Sequence, residues 1–473
     1  MIRKQDILDR ATEWQLRPEV VEKDYVLGWL LAGFGLSTTR TTWIFKGGTC
    51  IKKCFLETYR FSEDLDFSLL PEASYTQEGI HNALRDLTSR VSELSGIEFR
   101  QDQIEVRPRQ NKQGQPTFEC RIPYRGPLAY PSYPRILFDL TKHEPVLDMP
   151  SARVIFHPYP DALPGNIEVL TYSFDELLAE KTRALYERAR PRDLYDVVYL
   201  LENRPDAFDF HHVRKLFIDK CAAKGLAPPS LGELIRLVED DQELRSEWAN
   251  MLAYQLPSLP DLDTLLQRLP SLLRWIDQPS ASLPELMRAP APIPAGTALI
   301  APAGIRYWGT GLPLETIRFA GANRLLIEFD YDGRHRSVEP YSLHQARTGN
   351  ILLYGWEQGS THIKAFNTAK IDNLRVTSNG FEPRYRIEFS SAAPLSIPPS
   401  SSSSHGMYSS LSHRLTRSSA SGRSSYGPRY VFECPNCQKR FTHTKNDPAL
   451  RKHKAPDGYW DCPGRHGYLV EVR

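Results

Sequence analysis

The stretch Phe45-Lys-Gly-Gly-Thr49, followed by Arg60-Phe-Ser-Glu-Asp-Leu-Asp-Phe67, decides how the rest of the chain is read. The apolar run Trp43-Ile-Phe45 leads into the glycine pair, residues 51–56 have a helical pattern, and two aspartates then come one residue apart. On a strand, side chains at i and i+2 leave the same face roughly 6.6–7 Å apart. Asp64 and Asp66 therefore project together, while Leu65 and Phe67 point to a core. Such a pair suits two Mg²⁺ ions about 3.5–4 Å apart. Gly47 and Gly48 lack β-carbons, so a triphosphate can come close to their backbone N–H groups. Thr49 is placed to cap the helix that follows. A lone D-x-D is usually a solvated turn. The glycine pair after an apolar strand turns the balance toward a site.

The combined pattern resembles the heads of DNA-polymerase-β-like nucleotidyltransferases. Within them it is similar to the AbiEii/AbiGii abortive-infection toxin family, whose heads read K-G-G-T and then R-F-S-E-D-L-D-F. Every residue of that pattern is present between Lys46 and Phe67. The resemblance implies a multidomain α+β chain with a polymerase-β-like head, an NTP substrate and Mg²⁺ or Mn²⁺. It also implies action as a toxin in a toxin–antitoxin or phage-defence system.

Length and composition agree with several soluble domains. The chain has 473 residues, 41% of them hydrophobic and 25% charged. A formal net charge of +2 leaves nucleic-acid contact to local patches. The start, Met1-Ile-Arg-Lys-Gln-Asp6, has no signal-peptide core, and the longest apolar run, residues 26–36, is too short for a bilayer. A cytoplasmic location without membrane contact is expected. Seven cysteines argue against a disulfide framework. Cys50, Cys54, Cys120 and Cys221 read as small apolar fillers.

Around the opening stretch, the periodicity predicts two helices over residues 2–36, a helix over 77–94, and strands over 98–107, 117–123 and 135–141. Glu22-Lys23-Asp24 reads as part of a scaffold helix, although the family carries a similar segment and Lys23 can lie near the site. Asp139 sits in the middle of Ile136-Leu-Phe-Asp-Leu, where a carboxylate needs a partner. Metal ions supply one, so Asp139 is assigned as the third acid and a candidate general base, with Glu144 as its competitor. Ser173 with Glu176 predicts a capping box that starts a helix. Lys181, Leu185 and Arg188 share a face of that helix, Pro191 ends it, and Arg188 can pair with Asp193 across the turn. The resemblance continues here as E-K-x-x-A-L-x-x-R and R-D-x-x-D. It implies that Lys181 contacts the nucleotide phosphates and that Asp196, with Asp193, completes the site. Further helices are expected over 208–220, 231–244 and 262–276.

After a proline-dense segment the period becomes alternating, beginning at Ile317 to Ala320. Residues 324–331 run into the hairpin turn Asp332-Gly333, and short strand patterns follow to Phe389. The segment resembles a WYL-like regulatory β-barrel in its Y-x-G-x-x-R-x-V-E-P-Y turn. Arg324, Arg334, Arg336 and Lys364 are its candidate ligand-binding cations. In the tail, Cys434-Pro-Asn-Cys437 with His453 and Cys462 has tetrahedral Zn²⁺ spacing, and His443 and His466 compete for a place. This tail resembles a bacterial zinc ribbon, and its flanking Lys, Arg and aromatic residues suit RNA or DNA.

The expected order is a nucleotidyltransferase head over 1–150, a helical lobe over 151–278 and a Pro-rich linker over 279–296. A β-barrel follows over 297–392, a disordered Ser-rich linker over 393–428 and a zinc ribbon over 429–473. Asp64, Asp66, Asp139, Lys181 and Asp196 are the catalytic candidates, with Gly47, Gly48, Thr49 and Lys181 holding the NTP. The acceptor is expected to be RNA, tRNA among the possibilities, and the partner an antitoxin. The rival reading is a non-catalytic, NTP-sensing regulator that binds nucleic acid.

Overall fold

Trp43–Lys46 (β1) and Asp64–Leu69 (β2) form an antiparallel pair inside an eight-stranded mixed sheet. The coordinates are a computed structural model describing residues 1–111, 114–165, 167–203, 207–281, 288–300, 314–389, 430–434, 439–443, 447, 449–451, 453, 462 and 468–472. The remaining strands of the sheet are Glu98–Phe99 (β3), Glu105–Gln110 (β4), Pro116–Arg125 (β5), Arg135–Thr141 (β6), Ser151–Val154 (β7) and Glu168–Thr171 (β8). Their order is β3-β5-β6-β2-β1-β8-β7, with β4 also paired to β5. β6 runs parallel to β2, and β8 parallel to β1.

One face of this sheet is aromatic. Phe67 lies 5.1 Å from Phe45, 4.8 Å from Phe34 and 6.2 Å from Phe138, ring centre to ring centre. Phe34 belongs to a helix, Pro18–Gly35 (α2), which follows Lys4–Trp14 (α1) and is buried almost along its whole length. Burying each of these rings contributes about 1.5–3 kcal/mol. The same helix is tied down by polar contacts. Glu22 accepts the Leu128 amide at 2.6 Å, Asp24 pairs with Lys53, and Tyr25 donates to Asp161 at 2.7 Å. The Glu22-Lys23-Asp24 segment is therefore scaffold, except that Lys23 lies 3.4 Å from Glu63.

Gly47–Cys50 forms a short helix (α3) that widens into a π-type turn over Ile51–Phe55, closed by Leu56 N–H to the Ile51 carbonyl at 2.8 Å. Gln77–Ser95 (α4) lies against α2. Phe174–Arg188 (α5), Pro191–Asn203 (α6) and Phe210–Ala223 (α7) open the helical part. It continues through Leu231–Asp240 (α8), Gln242–Leu252 (α9) and Leu262–Leu272 (α10). The helix expected over 231–244 breaks because Asp241 caps α9 through the Leu244 amide. Only half of the capping box at α5 forms. Ser173 accepts from the Glu176 amide, but the Glu176 side chain turns to the Leu147 and Asp148 amides and to Lys220 at 2.7 Å.

Leu314–Ala322 is a helix (α11), not the start of the alternating strands. It is buried nearly all round, and a short apolar run of that kind has no period that separates helix from strand. Beyond it lie Leu325–Tyr331 (β10), Arg334–Ala346 (β11), Ile351–Glu357 (β12), Lys364–Asn367 (β13) and Asp372–Gly380 (β14), with Thr297–Leu299 (β9) paired to β11. The order is β13-β12-β11-β10-β14, and β13 and β14 do not pair with each other among the described residues. Asp332 and Gly333 both have positive φ, +49° and +72°, as the expected hairpin turn requires. Residues 384–389 add the Glu388 N–H to Tyr341 carbonyl bond at 2.9 Å.

The described residues up to 389 make one compact unit, and those from 430 a second. In the first, Tyr195 of α6 donates to Asn323 at 2.6 Å, Asn203 donates to the Ala322 carbonyl at 3.0 Å, and Arg324 pairs with Glu202. Arg324 is thus a buried tie between α6 and the second sheet, not a cation open to a ligand. In the second unit, Tyr430–Glu433 (β15) lies between Arg440–His443 (β16) and Tyr468–Val472 (β17), both antiparallel to it. The serine-rich segment 393–428 lies outside the described residues, as do Cys437 and His466.

Candidate active site

Register across the first sheet sets the chemistry. Lys46 is opposite Asp66, Asp66 is opposite Asp139, and Asp139 is opposite Glu119, one residue from each of four neighbouring strands. Residues directly opposite share a face, so this row stands on the side away from the aromatic core. Asp64 joins it two residues before Asp66. Leu65 and Phe67 are buried, as the alternation demands.

The Gly47-Gly48 turn closes over the row. Gly47 has φ +81°, and a β-carbon there would meet Asp66 Oδ2 at 2.0 Å. One on Gly48 would meet Arg60 Nη2 and Ser62 Oγ, both at 2.9 Å. The two halves of the opening motif therefore interlock through the missing side chains. Thr49 strengthens the joint in a way the sequence did not show. It does not cap α3, whose N-cap is Lys46, but donates its hydroxyl to the Asp64 carbonyl at 2.6 Å.

The carboxylates repel one another. Burial, then the charge of Asp66, pushes the Asp64 carboxyl up to about 6, with Lys23 opposing. Desolvation by the surrounding cleft, then Asp66 and Asp64, pushes Asp139 up to about 7. Asp139 nonetheless remains open to solvent, as a side chain in a recess does. No ion pair to Asp64, Asp66 or Asp139 forms among the described residues. An acid-rich recess whose carboxylates form no ion pair among the described residues fits hard divalent cations. Glu144, the competitor of Asp139, is engaged elsewhere: it pairs with Lys46, with Lys224 at 3.4 Å and with Arg183 at 3.8 Å.

A second cluster stands behind the motif. Asp196 of α6 is fully buried and takes the Arg60 fork at 2.7 and 2.9 Å and Lys181 Nζ at 2.7 Å. Burial works against its charge, but Arg60 and then Lys181 outweigh it and hold the carboxyl down to about 2. Arg60 also donates to Gln255 Oε1 at 2.9 Å, and Gln255 accepts the Phe61 amide at 3.0 Å. Asp196 therefore positions Lys181 and Arg60. Asp193 pairs with Arg188 at 2.6 and 2.9 Å, as expected for the helical hairpin. Reading the sequence alone missed Glu119, Gln255 and the roles of Lys46 and Arg60. Lys46 and Arg60 did carry a signal, as the first residues of K-G-G-T and R-F-S-E-D-L-D-F.

In the second unit, Cys434, His453 and Cys462 are buried with their ligand atoms all within 4.8 Å of one another. The two sulfurs are 3.6 Å apart, beyond bonding distance. His453 Nδ1 faces the Arg451 carbonyl at 2.8 Å.

A glycine turn over a row of acids is the layout of a nucleotidyltransferase head. Residues 29–268 match the family described as nucleotidyl transferase AbiEii toxin, type IV toxin–antitoxin system, and the chain belongs to that family. Among solved structures it is similar to MenT4, a nucleotidyltransferase toxin from Mycobacterium tuberculosis, at 19% identity over 59% of this chain and 90% of that one, TM-score 0.39. It is also similar to an antigenic nucleotidyltransferase-like protein from Paracoccidioides brasiliensis, at 14% identity over 52% and 92%, TM-score 0.21. No curated protein matches. The family implies an NTP substrate, a divalent metal and an antitoxin partner. No described helix is long and apolar enough to cross a membrane.

Proposed function

We propose that the chain transfers a nucleoside monophosphate from an NTP to an RNA hydroxyl, tRNA included, and so acts as a toxin restrained by an antitoxin. The acceptor hydroxyl gives its proton to Asp139 as general base, its oxygen attacks the α-phosphorus to form a new O–P bond, the bond from that phosphorus to the α–β bridging oxygen breaks, and pyrophosphate leaves. The single observation that carries this reading is the in-register pair Asp66–Asp139, with Asp64 beside it under the Gly47 turn. Asp64, Asp66 and Asp139 would hold Mg²⁺ or Mn²⁺, which when bound screens the triphosphate and sharpens the acceptor hydroxyl as a nucleophile. Gly47 and Gly48 offer the backbone approach to the phosphates. Lys181, fixed by Asp196, stabilises charge on the departing pyrophosphate.

Cys434, His453 and Cys462, with Cys437 as fourth ligand, are assigned to a structural Zn²⁺. The sheet over 325–380 is read as a WYL-like module, with exposed Arg334 as its accessible cation. Arg336 and Lys364 both pair with Glu357, which limits them. The test is radiolabelled NTP with total RNA and Mg²⁺. Label should enter RNA and be lost in Asp64→Ala. NTP binding without transfer to any RNA or protein would instead favour the sensing regulator.

A further inference from the structure

The cross-strand row does not end at Glu119. Arg107 of β4 is opposite Glu119, so the face that carries Asp66 and Asp139 continues onto a strand paired only to β5. Side chains two or four residues apart on a strand share a face. Arg109 beside Arg107, Arg121 beside Glu119, and Arg135 on the strand of Asp139 therefore stand on this same side. The alternate residues Val106, Phe118, Cys120 and Phe138 are buried on the other. Two carboxylates serve these four arginines. Arg121 forks onto Glu119 at 2.7 and 2.9 Å, and Arg109 comes only within 3.7 Å of the same side chain. Arg107 pairs with Glu105 at 2.6 Å, and Arg135 comes within 3.9 Å of it. Separations of 3.7 and 3.9 Å are beyond hydrogen-bonding range, so neither glutamate fixes Arg109 or Arg135. Those two side chains are 52% and 49% exposed. Positive charge is thus in excess on the open face, directly beside the acid recess.

We propose that Arg107, Arg109, Arg121 and Arg135 form a track for the phosphodiester backbone of the acceptor RNA, leading its terminal hydroxyl to Asp139. A guanidinium fork matches a pair of phosphate oxygens. An acid-rich recess repels a polyanion, and positive charge at its rim offsets that repulsion. The order of the strands gives the direction of approach. The Gly47 turn closes the β1–β2 end of the row, the arginines line the β6–β5–β4 end, and Asp139 lies between them. Phosphoryl transfer sets the attacking and leaving oxygens roughly in line. With the triphosphate at the glycine turn, the acceptor hydroxyl comes from the arginine side. Arg107 stands two strands from Asp139, about 10 Å between backbones, so the track holds phosphates behind the reacting end. Delivery of the hydroxyl rests on the transfer function proposed above; binding of the strand does not.

The full chain is titrated against a short fluorescent single-stranded RNA with a free 3′ hydroxyl, and anisotropy is read without added metal over a salt series. Saturable binding that weakens with salt is expected. A triple variant, Arg107→Gln with Arg109→Gln and Arg135→Gln, should bind about tenfold or more weakly and lower the salt slope by about 2. Arg109→Gln and Arg135→Gln singly, which leave both close ion pairs intact, should each lose about threefold and melt as the native chain does. A control triple at exposed arginines of α8, α9 and β14, Arg236→Gln with Arg245→Gln and Arg375→Gln, removes the same charge and should bind as the native chain does. In the transfer assay the first triple should raise the KM for RNA and leave the KM for NTP in place. No saturable binding by the native chain, an unchanged salt slope in the first triple, or an equal loss in the control overturns the proposal. A raised KM for NTP with RNA binding intact assigns the arginines to the nucleotide and also overturns it. Should RNA bind through the arginines while label enters protein or nothing at all, the transfer function fails and the binding track stands. Should transfer to RNA proceed with its KM unchanged in the first triple, the track fails and the function stands.

Discussion

Gly47 and Asp66 occupy each other's space: a β-carbon on the glycine would stand 2.0 Å from the carboxylate oxygen. The glycine also holds φ +81°, a conformation that costs other residues about 1–2 kcal/mol. Gly47→Ala should therefore push Asp66 out of the acid row while the aromatic face beneath keeps the sheet folded. Transfer is expected to fall by about 100-fold or more, with only a modest drop in melting temperature. Full activity in Gly47→Ala would show that the turn does not shape the site.

The raised acids make a prediction about pH. Asp64 and Asp139 titrate at about 6 and about 7 in the folded chain, above the ~3.9 of an unfolded aspartate. The folded state thus binds more protons between those values, and stability falls as pH rises from about 4 through about 7. Divalent cations remove the repulsion only where the acids are charged. The thermal shift produced by Mg²⁺ should therefore grow from pH 5 to pH 8, and Asp139→Asn should flatten it. A shift of equal size across that range would contradict a metal site here.

Much of this site was legible because its chemistry sits in one continuous stretch. Asp64 and Asp66 announce themselves by spacing, and Asp139 by being an acid inside an apolar strand. The cross-strand row could not be read, because register between β2, β6 and β5 is fixed by distant pairing and leaves no local mark. Glu119, and the place of Lys46 opposite Asp66, were missed for that reason. Arg324 looked like a surface cation, since nothing near it in sequence reveals Glu202. Helix α11 was misread because an element buried on all sides loses the polar face that gives a period.

Asp196 separates positioning from chemistry. Its carboxylate is the shared partner of Arg60 and Lys181 in a fully buried setting. Asp196→Asn leaves two cations poorly matched and should destabilise the chain by about 3–5 kcal/mol. Lys181→Met keeps the Arg60–Asp196 fork, so it should lose transfer while retaining most of the stability. The folded carboxyl at about 2 lies below its unfolded value, so its stabilisation is full above about pH 4 and lost as pH falls toward 2. Chemical denaturation of both variants, read beside the transfer assay, checks the distinction. Equal stability loss in the two would remove it.

The C-terminal cluster gives the sharpest test of independence between the two units. Three buried ligands converge on one point beside a short three-stranded sheet, and the core there among the described residues is Phe432, Cys434, Leu450 and Cys462. So small a core cannot hold the chain, and a metal there contributes folding energy directly. Metal analysis of the purified protein should find one zinc per chain. Chelation or Cys462→Ser should then raise hydrogen exchange across residues 430–472 while the melting transition of residues up to 389 stays in place. That transition depends on ties such as Tyr195–Asn323 and Asn203–Ala322, none of which involves the tail. Absence of zinc would sink the metal assignment. Loss of the main transition on chelation would show that the two units fold as one.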